Sequence, residues 1–126
     1  MLRRAIMEEP VTELRFWHVN VTVAGEALDL ERVRSALVRL AEQHSFLHSL
    51  RYSRDRAEVS YWEQADAMLD AAAMGLRLWD EHRVAADLPR WEVVGLEVLE
   101  RDTFNSRAGA MSATRIGLHR PMPMPF

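Results

Sequence analysis

Apolar and polar residues alternate strictly near the start of the chain. Trp17, Val19, Val21 and Val23 share one face, and His18, Asn20 and Thr22 the other. Period-two alternation rich in β-branched residues predicts a half-buried strand over 14–23. Ala24-Gly25-Glu26 then turns the chain. Asp29 stands where an N-cap accepts a first-turn amide, and Leu30, Val33, Leu37, Leu40 and Ala41 follow at helical spacing. That helix fades near His44-Ser45. Strands are predicted over 46–52 and 57–62, joined by the polar stretch 53–56. From about Glu63 a second helix is expected, with Ala65, Leu69, Ala72, Leu76, Trp79 and Arg83 on its buried side. Gly75 inside it costs about 1 kcal/mol relative to Ala unless close packing explains it. A last strand over 91–99 is apolar on both faces except at Glu97.

The order β-α-β-β-α-β predicts an α+β, ferredoxin-like domain: a four-stranded antiparallel sheet with two helices on one face. The expected boundaries are a flexible leader over 1–12, the domain over 13–104, and an extended or disordered Pro/Met tail over 105–126. Proline at every second position of Pro121-Met122-Pro123-Met124-Pro125 denies that end a helix or a central strand. With the first-strand valines beneath the helices, the other sheet face is expected to hold Phe16, His18, Asn20, Glu58, Ser60, Trp62, Trp91, Val93 and Glu97. Val94, Leu96 and Val98 are expected beneath the helices. An apolar patch of that kind marks an interaction surface unless the chain covers it. The expected interface is Phe16, His18, Trp62, Trp91 and Val93, with Met122, Met124 and Phe126 as a second, tail contact.

Composition narrows the chemistry. The 126 residues hold no cysteine, which excludes disulfides, thiolate metal sites and cysteine nucleophiles. All sixteen basic residues are arginine, which excludes a Schiff-base or P-loop lysine. A net charge of −3 argues against nonspecific nucleic-acid binding. The N-terminal Arg3-Arg4 pair is followed by Glu8-Glu9-Pro10 rather than an apolar run, so no signal peptide is expected. No apolar stretch approaches a membrane span, and a cytoplasmic protein is the expectation.

His18 and Asn20, beside Glu58 or Glu97, are the candidates for acid/base chemistry, because imidazole titrates near neutrality. A hydrogen-bonded interface histidine is the plainer reading. His44 and His48 have an i,i+4 metal-ligand spacing, but two histidines at a helix end do not complete a site. No metal or cofactor is implied. The RRM signature is missing from Ala57-Glu58-Val59-Ser60-Tyr61-Trp62-Glu63, which leaves RNA binding a third choice.

The segments Phe16-Trp17-His18-Val19-Asn20-Val21, Val59-Ser60-Tyr61-Trp62-Glu63 and Trp91-Glu92-Val93-Val94-Gly95-Leu96-Glu97 resemble those of short uncharacterised proteins of high-GC actinobacteria. The resemblance implies a bacterial cytosolic protein and carries over no catalytic residue. The leading expectation is a non-enzymatic module that dimerises or docks a protein partner through its aromatic sheet face. The alternative is a dimeric α+β barrel acting on a small apolar or aromatic molecule, which requires a cavity.

Overall fold

The computed structural model describes residues 14–45, 47–108 and 121–126. The expected leader lies outside the described residues, as do Phe46 and residues 109–120 of the expected tail. The elements are β1 (Phe16–Ala24), α1 (Leu30–Gln43), β2 (Leu47–Tyr52), β3 (Arg56–Gln64), α2 (Met68–Arg83), β4 (Glu92–Glu100), α3 (Arg101–Ala108) and β5 (Pro123–Pro125). The strands form one sheet in the order β4-β1-β3-β2-β5. The first four strands pair antiparallel, and β5 joins β2 in parallel. The molecule is therefore α+β, but its sheet is five-stranded and mixed rather than four-stranded and antiparallel.

The alternation in β1 does what its pattern requires. Trp17, Val19, Val21 and Val23 are all buried in the main core. Asp29 caps α1, its carboxylate accepting the Glu31 amide at 3.2 Å. Val33, Ala36, Leu37, Leu40 and Ala41 form that helix's buried stripe. Arg39 and Gln43 of α1 donate to the carbonyls of Ala85, Ala86 and Asp87, just past the end of α2. These bonds satisfy carbonyls of the turn that follows α2, which have no place in a helix ladder, and tie that turn to α1.

The second helix departs from expectation. It starts at Met68, because Glu63 and Gln64 still belong to β3, and it buries Ala71, Gly75, Leu78 and Trp79. Leu69 and Leu76, expected inside, are exposed. The reason is close approach: a Cβ on Gly75 would sit 2.9 Å from Val19 Cγ1 and 3.0 Å from Leu96 Cδ1. The small-residue face lets the helix settle onto β1 and β4, and the leucine face would hold it away.

Two residues placed on the open face by alternation belong to the core instead. The β1–β4 register shifts between Thr22 and Val23, so Gly95 faces Thr22 while Val93 faces Val23. Val94 is the extra residue of this bulge, more than half exposed, and Val93 packs against the core beneath the helices. Trp91 precedes β4, donates its indole N–H to the Glu26 carbonyl at 3.0 Å, and stacks parallel to Trp79. Any side chain at Gly25 would overlap its ring.

Two elements depart from the expected end of the domain at 104: α3 runs across that boundary, and β5 lies within the expected tail. α3 turns back across the sheet face opposite α1 and α2. β5 adds an edge strand, where proline is tolerated because one side needs no donors. Its Met124 lies opposite Arg51, and the Phe126 amide donates to the Tyr52 carbonyl at 3.0 Å. Met122, Met124 and Phe126 are exposed along this edge.

Candidate functional site

On the face away from α1 and α2, β1 presents Phe16, His18, Asn20 and Thr22, and β3 presents Glu58, Ser60, Trp62 and Gln64. This face is not open at its aromatic end. Phe104 of α3 lies on His18 with ring centroids 4.1 Å apart, and meets Trp62 edge-on at 5.1 Å. Arg107 pins the helix to Glu97 at 3.4 Å. His18 and Trp62 are only 7% and 4% exposed as a result.

His18 finds neither of its expected carboxylate partners. Its Nε2 lies 2.9 Å from Nδ1 of His48, which a bulge at the start of β2 carries to the same face. One ring donates its N–H to the lone pair of the other, an arrangement that requires at least one neutral imidazole. Burial, reinforced by the neighbouring His48, lowers His18 to about 4, and burial lowers His48 as well. Asn20 is turned to structural use, its amide oxygen accepting from the Ser60 hydroxyl at 3.1 Å. His18 is buried under Phe104 with its Nε2 engaged by the half-buried His48, and Asn20 is engaged by Ser60. The acid/base role expected of His18 and Asn20 is therefore not supported by their geometry.

His44 and His48 do not share a helix face. His44 lies past the end of α1, donating Nδ1–H to the Ser45 carbonyl at 2.6 Å and packing on Tyr61 and His82. Burial first, and His82 second, lower its pKa against the opposing effect of the Ser45 carbonyl. Among the described residues no group of three or more His, Asp or Glu side chains could hold a metal ion.

A cavity of about 590 Å³ opens at the end of the sheet beside this region. It is lined by Phe16, His44, Ser45, Trp62, Glu63, Gln64 and Arg101. It gathers around the last residues of β3, which continues past Tyr61 to Gln64, where His44 and Ser45 just after α1 and the first residue of α3 also meet. Of the chain's four tryptophans, Trp17, Trp79 and Trp91 each donate their indole N–H to a backbone carbonyl. The buried Trp62 N–H has no partner among the described residues.

The Tyr61 hydroxyl behind His44 is also buried and unpartnered among the described residues. Burial, with Glu63 and Glu81 nearby, pushes its ionisation up, so it remains a neutral phenol. An unmade buried hydrogen bond is costly, so Tyr61→Phe is expected to raise stability by up to about 1 kcal/mol in urea titrations. A clear loss of stability would mean that the hydroxyl has a partner.

Of the residues singled out from the pattern, the fold brings Phe16 and Trp62 together at the cavity and His18 just behind them. Trp91, Val93 and the tail methionines lie elsewhere. Pattern reading missed Phe104, Glu63, Gln64 and Arg101, and weighed His48 only as a metal ligand beside His44 rather than as the partner of His18. Phe104 carried a signal, being a lone aromatic in an otherwise polar stretch.

Fold and site together define a small α+β domain with an aromatic-walled cavity at one end of its sheet. The chain belongs to a family described as a domain of unknown function (DUF8830), whose model matches residues 16–115. No curated protein and no solved structure matches it. Among the described residues no helix is long and apolar enough to cross a membrane.

Proposed function

We propose that this domain binds a small, largely apolar molecule in the cavity at the end of its sheet. The observation that carries the reading is the cavity itself, at about 590 Å³, walled by Phe16 and Trp62 and edged by a few polar groups. Ligand sites characteristically span ~300–1,000 Å³, with apolar walls and a small number of polar groups that fix orientation. The antiparallel β4-β1-β3-β2 core supports a ferredoxin-like ancestry for the scaffold. That fold hosts many functions, so the argument rests on the site. Binding is proposed rather than turnover, because among the described residues the lining His44 bonds the Ser45 carbonyl and no nucleophile in the cavity is hydrogen-bonded to a base.

The test is saturation-transfer NMR with the neutral aromatic 3-phenyl-1-propanol. Signal from its ring protons is expected with the native chain and is expected to vanish in Gln64→Trp. That variant fills the cavity from an exposed position and leaves the core untouched. Absence of transfer in the native chain, or equal transfer in the variant, would contradict the reading.

A second reading is association of two copies along β4. It is supported by exposed Met68, Leu69 and Leu76 on α2 and Val94 on β4, which among the described residues is an edge strand. Dimerisation through the aromatic face would instead require α3 to leave it. Light scattering at high micromolar concentration decides: a dimer dissociated by Val94→Glu supports the edge, and a strict monomer contradicts it.

A further inference from the structure

The cavity carries two unspent charges of opposite sign. Arg101, the first residue of α3, holds its guanidinium 5.8 Å from the centroid of the Phe16 ring. Its neighbour Glu100 is committed elsewhere, bridging Arg15 at 2.9 Å. Among the described residues no carboxylate lies within ion-pair distance of Arg101, and no cation within ion-pair distance of Glu63. Glu63 and Arg101 line the same cavity without bridging each other. Burial without a cation raises the Glu63 carboxyl above its usual range. His44 adds an acceptor, because Nδ1–H is spent on the Ser45 carbonyl and Nε2 keeps its lone pair.

A neutral apolar ligand would leave both charges unpaired at the rim. An anion would meet Glu63, and a cation would meet Arg101. A molecule with both charges satisfies each in turn while its ring lies against Trp62 and Phe16. We propose that the ligand is an aromatic zwitterion of the amino-acid kind, with its carboxylate on Arg101 and its ammonium between Glu63 and His44. The proposal rests on the cavity reading above and deepens it.

Calorimetric titration of the full chain with L-phenylalanine, 3-phenylpropionate and 2-phenylethylamine tests it, because the three share a ring and differ in charge. L-Phenylalanine is expected to bind about tenfold tighter than either singly charged analogue, the value of one additional charge-assisted hydrogen bond. Arg101→Gln is expected to weaken L-phenylalanine and 3-phenylpropionate and to leave 2-phenylethylamine unchanged. Glu63→Gln is expected to weaken L-phenylalanine and 2-phenylethylamine only. Both positions are at least partly exposed, so neither change threatens the fold. Equal affinities for the three compounds, together with binding of 3-phenyl-1-propanol, would overturn the zwitterion and leave the cavity reading intact. No binding of any of the four would overturn both.

Discussion

Trp79→Ala is expected to destabilise the domain by about 3–5 kcal/mol, the range for emptying a buried aromatic site. Trp79 is 1% exposed and lies near the end of α2. Its ring is parallel to that of Trp91 to within 2°, with centroids 6.3 Å apart. Its indole N–H donates to the Pro89 carbonyl at 2.9 Å. The substitution removes the contact that joins α2, the 84–91 connection and the start of β4, and strands a buried carbonyl as well. Trp79→Phe restores most of the packing without the N–H, so its loss is expected to be about 1–2 kcal/mol. Chemical denaturation of the three proteins measures both. A loss under 1 kcal/mol for the alanine variant would contradict the packing described.

The second large effect is loss of stability in mild acid. His18 is buried neutral, with its folded pKa lowered to about 4 by burial and then by His48. An unfolded histidine titrates near 6.5. Between those values the unfolded chain binds more protons, so stability is complete above about pH 6.5 and falls as the pH drops towards 4. The expected loss is about 2 kcal/mol, below what the whole shift would yield because solvent reaches part of the ring edge. His48 acts in the same direction. Glu63, raised by burial, acts in the opposite one, gaining its proton more readily in the folded state. Comparing the native chain with His18→Phe at pH 7.5 and pH 4.5 cancels the Glu63 contribution. The native chain is expected to lose more on acidification than the variant. Equal losses would show that the His18–His48 pair is not buried neutral.

Much of the scaffold was legible because its signals are local. Alternation over Trp17–Val23 placed four core side chains, and Asp29 marked the start of α1. The failures have specific physical causes. In α2 two stripes compete, and the sheet selects the small-residue face around Gly75 rather than the leucines. A glycine in a helix can signal close approach, and here it did. In β4 the bulge at Val94 reverses alternation on one side only. Gly95 was its one visible mark, because an isolated strand glycine often accompanies a bulge. The proline run correctly excluded a central strand and helix, but an edge strand tolerates that pattern.

The candidate site was less legible than the fold. Phe16 and Trp62 emerge from β1 and β3 by alternation, so their proximity followed from the strand order. Glu63, His44 and Arg101 meet them because α1 ends beside the last residues of β3 and because α3 begins where β4 ends. Neither is a property of local pattern. The α3 cover on His18 depends on one residue, Phe104, flanked in that helix by polar, exposed residues 101–103 and 105–107.

Nuclear Overhauser measurements between 3-phenyl-1-propanol and the side chains of the domain test the cavity most directly. The account predicts contacts from the ligand ring to the Phe16 ring and to the Trp62 indole, with none to Leu69, Leu76 or Val94. Contacts confined to that outer flank of α2 and β4, with Phe16 and Trp62 undisturbed, would contradict it.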